Sequence, residues 1–222
     1  MVTVFREPRP DLIVPNPGGA EDPLGESVLD KNLPAVRIFE PQDIRIVIGR
    51  HQDPEREVLT LHARADGIPI HRRVAGGGAV VLAPGMVVVA LRLPRRGLDV
   101  DAYFRQVAEL LMPPIQSLLP EGVRVVLHGH GDLALIEGTA LPRKILGASL
   151  RQSRMDVYYL GVLMVADAVA LMQRYLAFPS REPAYRAGRG HADFCTDLGR
   201  HQVSTAALKT ALRAACQQVL RL

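Results

Sequence analysis

Tryptophan is absent from the 222 residues, aromatic side chains make up only 5%, and the cysteines number two, Cys195 and Cys216. So few aromatics leave little on which single-stranded bases could stack, and no nucleic-acid partner is expected. Two widely spaced cysteines cannot form a disulfide framework, and both thiols are expected to be reduced. The opening MVTVFREPRP lacks the basic, apolar and small-residue succession of an export signal, so a cytoplasmic address is expected. The longest apolar run, Met86 to Leu91, falls far short of the roughly 20 residues a membrane-crossing helix requires, so no membrane span is expected. A net charge of +4 over this length is a weak field and hints at an acidic protein partner at most.

A 48% hydrophobic fraction with 23% charged residues suits one ordinary domain. Residues 1–34 hold Pro8, Pro10, Pro15, Pro17, Pro23 and Pro34 with Gly18, Gly19 and Gly25, which predicts an irregular arm with one short helix around Glu26 to Lys31. Regular signals then begin. Val36 to Phe39 and Ile44 to Ile48 are expected to pair as a hairpin. Asp53-Pro54 caps a helix whose face carries Val58, Leu61 and His62. Strands are expected near 68–71, 79–82, 86–93, 123–127, 133–136, 144–150 and 157–164, with helices near 101–112 and 167–176. Ser204 can cap a last helix with an apolar stripe of Leu208, Leu212, Ala215 and Val219. Strands outnumber helices and several are close enough to pair antiparallel, so the fold class is α+β with a mixed sheet.

Four segments could carry chemistry. Gly76, Gly77 and Gly78 leave backbone amides uncovered, and Arg72 and Arg73 just upstream supply guanidinium groups suited to a carboxylate or phosphate. The loop is neither a dinucleotide fingerprint nor a phosphate loop, and a plain tight turn is the alternative. Lys144 precedes the small residues Gly147 and Ala148, so it could stabilise developing charge or stand as a lysine in water at a strand edge. His128, His130 and Asp132 form an HxHxD pattern with metal-ligand atoms, but the sequence supplies no further ligands, and a turn between strands is the alternative. Cys195 lies near His191 and several arginines and could accept an acyl group, whereas Phe194 and Leu198 favour a segment returning to the core. Cys216 stands four residues from Leu212 and Leu220 and is expected to be packing.

Taken together, VIGRHQDPEREV, GIPIHRRVAGGGAV and GDLALIEGTALPRKILGASL resemble, in order, three motifs of the lipoate ligase, octanoyltransferase and biotin ligase family, closest to the lipoate-protein ligases. The resemblance runs from about Ala35 to Leu212. It implies a single catalytic domain over 35–222 with a central mixed, largely antiparallel sheet flanked by helices, as in class II aminoacyl-tRNA synthetases and biotin ligases. It also implies that Lys144 contacts the activated carboxyl group, while Arg72, Gly76, Gly77, Gly78, Ala79, Asp132, Gly147 and Ala148 form the acyl and adenylate pocket. The family's loop serine is Ala75 here, its Asn before Asp132 is Gly131, and polar positions after GGGAV have become Leu82, Ala83 and Met86.

The implied activity is activation of lipoate or octanoate with ATP and magnesium as co-substrates, without a tightly bound metal, and transfer to a lysine of a lipoyl carrier domain. No C-terminal accessory domain is expected within this sequence, and a separate accessory subunit could supply one. An ATP-independent transferase using Cys195 is the second reading. A non-catalytic binding or assembly protein is the third.

Overall fold

The computed structural model describes residues 13–14, 22–97 and 99–219, without the side chains of Gln218 and Val219. Pro8, Pro10, Pro15, Pro17, Gly18 and Gly19 of the expected arm lie outside the described residues, as does the side chain of Val219 at the end of the expected stripe. Within the arm, Ile13–Val14 (β1) pairs parallel with Ile70–Arg72 (β4), and Glu26–Leu29 forms a 3-10 turn where a short helix was expected. That turn is held by Asp22, whose carboxylate accepts from the backbone of Glu26 and Ser27 and pairs with Arg37 at 2.7 Å.

The α+β class is present, with its pairing divided over two sheets. Six antiparallel strands run in the order Val36–Phe39 (β2), Met86–Pro94 (β6), Asp156–Met164 (β10), Arg143–Gln152 (β9), Asp132–Glu137 (β8) and Val123–His128 (β7). A mixed sheet of four joins β1, β4, Arg45–Ile48 (β3) and Val80–Leu82 (β5). β2 and β3 therefore do not form the expected hairpin. Ile46, Val47 and Ile48 are all fully buried, and a strand so enclosed gains more from β4 and β5 on its two sides than from β2.

The unbroken apolar run of β6 is explained by burial of both faces. Val87, Val89 and Leu91 join a core with Val100–Gln116 (α3) and Thr205–Val219 (α6), whereas Val88 and Ala90 face a second core built with the small sheet. Asp99 caps α3 by accepting from Ala102 N at 2.6 Å, and Ser204 caps α6 through Ala207 N. Cys216 is buried on α6 as packing.

The helix expected after Asp53 is broken in two, Pro54–Glu57 (α1) and Thr60–Ala65 (α2). Between them Val58 turns aside to bridge Leu176, which follows Ala168–Tyr175 (α4). Because the helix restarts, Leu61 ends up 77% exposed, off the buried face that Val58 occupies. No helix among the described residues is long and apolar enough to cross a membrane.

Candidate active site

The glycine loop is fixed from beneath by Arg73, a 97%-buried side chain whose Nη2 donates to Gly76 O and Gly78 O at 2.7 Å each and whose Nε donates to Gly76 O at 3.0 Å. Burial lowers its pKa to about 10, which still leaves the guanidinium charged at neutral pH. Gly77 sits at φ +94°, and a Cβ there would lie 2.8 Å from Arg73 Nη2, so glycine is required twice over. Gly49 packs against the same turn, where a Cβ would come within 2.2 Å of Gly77 O, and Arg50 N donates to Ala75 O. Two sequence motifs thus interlock.

Arg72 departs from its expected role. It is absent from the cavity wall, and its Nη1 is spent on the carbonyls of Gly49, Arg50 and Gln52 at 2.8–3.0 Å. Neighbouring strand residues point to opposite sides, so the pair divides between tethering the 49–52 turn and holding the glycine loop. Arg73 alone of the two borders a recess beside the glycine loop.

Lys144 is aimed by an irregularity. On β8 Leu133 pairs with Leu146 and Ala134 with Lys144, so Ile145 is an extra residue bulged out of the ladder. Regular alternation would put Lys144 and Gly147 on opposite faces; the bulge puts them on one. A Cβ on Gly147 would stand 3.0 Å from both Lys144 Cε and Nζ, so the lysine lies directly over the bare glycine. Its Nζ pairs with Asp132 Oδ1 at 2.8 Å, with side chains 23% and 15% exposed.

These pieces share a cavity of about 510 Å³, within the range that holds a small-molecule ligand. Gly76, Gly77, Gly78, Ala79, Asp132, Lys144, Gly147, Ala148 and Cys195 all line it, beside Val81, Phe104, Met164, Met172, Leu176 and Phe194. An adjoining niche of about 80 Å³ is also bordered by Gly78, Ala79, Lys144, Gly147 and Ser149. A wider recess of about 840 Å³ lies by Gln42, Arg45, Ile68 and Asp167, but neither the glycine loop nor Lys144 borders it.

Cys195 ends the short helix His191–Phe194 (α5) and makes a parallel bridge to Lys144, with Thr196 N donating to Lys144 O at 2.9 Å. Burial pushes its thiol pKa up, against the smaller opposing pull of Lys144 and Arg186. Burial likewise lowers the pKa of His191, whose Nε2 faces Ala177 O.

The HxHxD residues go to separate partners. His128 stacks on Tyr185 with ring centroids 4.7 Å apart, His130 Nδ1 lies 2.8 Å from Asp101 Oδ1, and Asp132 serves Lys144 and Tyr185. Among the described residues no group of three His, Cys, Asp or Glu could hold a metal ion.

Sequence reasoning missed Arg73 as a scaffold, Phe104, Tyr185 and Arg186. Gly131, at φ +128°, would place a Cβ 2.4 Å from the Phe104 ring, so the ring fills space that a side chain at 131 would need. Arg186 is buried between the rings of Phe178 and Phe194, at 4.8 and 4.9 Å, and its Nη2 has no partner among the described residues. None of these contacts leaves a local pattern in the sequence.

Residues 20–217 match the family model described as the lipoyl protein ligase A/B catalytic domain. The Aeropyrum pernix protein named "Putative lipoate-protein ligase A" is 34% identical over 148 residues, which are 66% of this chain and 52% of that protein. The chain thus spans about half the length of that curated relative. The bi-partite lipoate protein ligase of Thermoplasma acidophilum, described with its E2 lipoyl domain, superposes with a TM-score of 0.75 at 18% identity, covering 94% of this chain and 82% of that one. A lipoate-protein ligase A bound with ATP gives a TM-score of 0.70 at 18% identity, covering 94% and 84%. With the family match running over nearly all of the described residues, the chain belongs to the lipoyl protein ligase A/B catalytic domain family.

Proposed function

We propose that the protein activates lipoate or octanoate with magnesium ATP and transfers the acyl group to a lysine of a lipoyl carrier domain. The observation that carries this reading is the single cavity walled by the glycine loop, Lys144 and bare Gly147, with apolar side chains beyond. In the first step a carboxylate oxygen of the acid attacks the α-phosphorus of ATP, pyrophosphate leaves, and an acyl-adenylate forms. In the second, the carrier lysine amine attacks the acyl carbon, its proton is lost, and AMP leaves.

A lysine ammonium has three N–H donors, and Asp132 takes one. The other two serve the acyl carboxylate and the charge that gathers on its oxygens. Gly76, Gly77, Gly78 and Ala79 supply backbone close to the adenylate, while Gly147 and Ala148 let the ligand approach Lys144. Val81, Met164, Met172 and Leu176 receive the acyl tail. The catalytic unit is assigned to residues 35–222. The bi-partite T. acidophilum neighbour and its E2 lipoyl domain support a carrier domain as partner and a separate accessory subunit as a further one.

A second reading has one specific support: the Cys195 thiol borders the same cavity and neighbours Lys144. The Cys195 thiolate would then attack the acyl carbon of a carrier thioester, the carrier thiol would leave, and the acyl thioester on Cys195 would replace the adenylate as donor to the acceptor lysine. The raised thiol pKa ranks it below the ligase reading.

The test combines protein and an apo lipoyl domain either with lipoate, ATP and magnesium or with an octanoyl carrier thioester and no ATP, each with and without an accessory subunit, scored by intact mass. Acylation should require ATP, vanish in Lys144→Ala and persist in Cys195→Ala. ATP-independent transfer with an acyl adduct on Cys195 would overturn the ligase reading. Absence of any transfer under all conditions would favour a binding or assembly role.

A further inference from the structure

We propose that Tyr185 is a positioning residue for Lys144, acting through Asp132; this rests on the ligase reading for its kinetic consequence but not for its geometry. Asp132 holds the lysine by one oxygen, Oδ1 at 2.8 Å, and its other oxygen, Oδ2, accepts the Tyr185 hydroxyl at 3.0 Å. A carboxylate anchored at one oxygen can swivel about its Cβ–Cγ bond. Anchored at both, it presents Oδ1 to Lys144 in one direction.

Tyr185 is itself fixed. Its ring stacks on His128 at 4.7 Å and 19°, and packs on Phe194 at 4.9 Å and 49°. Gly129, with left-handed backbone at φ +55°, lets the 128–131 turn come close enough that a Cβ would lie 3.7 Å from the Tyr185 ring. Burial pushes the phenol pKa up, and the Asp132 charge adds to this, so the hydroxyl stays protonated and donates. Four segments therefore converge: His128 ends β7, Asp132 begins β8, Lys144 stands on β9, and Tyr185 lies in the 3-10 turn Ala184–Arg186.

A tyrosine that merely packed there would show both ring contacts without a bond to the one carboxylate that holds the lysine. Two features separate positioning from packing. Tyr185→Phe keeps both rings in place and removes only the hydroxyl, so the fold should hold while Lys144 is released from its direction. The effect should also depend on Asp132, because residues acting in one chain are not additive.

The chain helps the experiment, since its only lysines are Lys31, Lys144 and Lys209. Lys31 pairs with Asp156 and Lys209 with Glu40, away from the cavity, so both serve as internal references for NMR of protein labelled with 13C-lysine. In Tyr185→Phe the Lys144 ε-methylene resonance should move while the other two stay, and in an Asp132→Asn background the added Tyr185→Phe change should move it no further. A Lys144 signal that superposes on wild type in Tyr185→Phe would overturn the inference.

Kinetically, lipoate-dependent pyrophosphate exchange should lose roughly tenfold in kcat, the scale of one hydrogen bond to a charged group, with KM for ATP unchanged. An equal additional loss from Tyr185→Phe in the Asp132→Asn background would mark a structural effect and also overturn it. If wild type exchanges no pyrophosphate with any acid, the proposed function fails, and the lysine spectrum still decides the role of Tyr185.

Discussion

A single methyl group placed beneath Lys144 separates the lysine's contribution to chemistry from its contribution to the fold. Gly147→Ala would set a Cβ 3.0 Å from both Lys144 Cε and Nζ. Ordinary carbon contacts lie at about 3.5–4.0 Å, so the lysine tip must retreat by roughly 0.5–1 Å. It can do so cheaply, because the atoms struck are the far end of a flexible side chain rather than backbone.

The stability effects are small and opposed. Replacing a strand-interior glycine by alanine gains about 0.5–1 kcal/mol in chain entropy. Weakening the Lys144–Asp132 pair, with both side chains partly exposed, costs about 0–1 kcal/mol. The two nearly cancel, and at roughly 2–4 °C per kcal/mol for a chain of this size the melting temperature should stay within a few degrees. Catalysis is less forgiving, because a misplacement of about 1 Å can cost about 100-fold in rate. The measurements are a thermal melt and carrier acylation scored by intact mass. Acylation within twofold of wild type, at an unchanged melting temperature, would refute the claim that Lys144 must occupy the space above Gly147. A fall of more than about 10 °C would refute the claim that only the lysine moves.

Gly77→Ala should behave in the opposite way, destabilising the protein by about 1–3 kcal/mol, because it imposes φ +94° on a side chain and drives a Cβ to 2.8 Å from Arg73 Nη2; chemical denaturation checks this. Arg73→Met should cost about 2–4 kcal/mol by leaving Gly76 O and Gly78 O without their donors, measured in the same way. Cys195 should alkylate slowly in the folded state. A raised pKa means less thiolate at any given pH than in an ordinary cysteine, so the iodoacetamide rate profile should be displaced to alkaline pH and return to the usual range on unfolding.

The strands were legible because their burial is written in the sequence. Met86 to Leu91 is a continuous apolar run, and the structure covers both of its faces. The α6 cap at Ser204 was likewise a local signal, carried by a side chain that bonds to its own helix, whereas the α3 cap at Asp99 was not read. What failed was decided at a distance. The break at Val58 depends on a bridge to Leu176, far along the chain, which outweighs the local helical pattern. The bulge at Ile145 leaves no mark in LPRKILGASL, yet without it Lys144 and Gly147 would face opposite ways. Arg72 and Arg73 are chemically identical, and only their positions, one ending β4 and the other following it, assign one to the 49–52 turn and the other to the glycine loop.

The departures from the family pattern make one structural account when taken with these contacts. Where the resemblance expects a loop serine, Ala75 is wholly buried, and the loop is instead tied by Arg73 and by Arg50 N to Ala75 O. Where it expects Asn, Gly131 gives its side-chain volume to Phe104, which borders the cavity. Where polar residues would follow GGGAV, Leu82 and Ala83 are buried in the core of the small sheet. Each lost polar group is thus replaced by packing or by main-chain bonding, and buried polar groups are not left without partners at these positions. The charged pair Lys144–Asp132 is the element that was not exchanged. Among the charged groups of the cavity wall, which include Arg181, Arg186, Glu57 and Glu182, the Lys144 ammonium is the one whose direction is set by a strand bulge, a bare glycine beneath it and a carboxylate beside it.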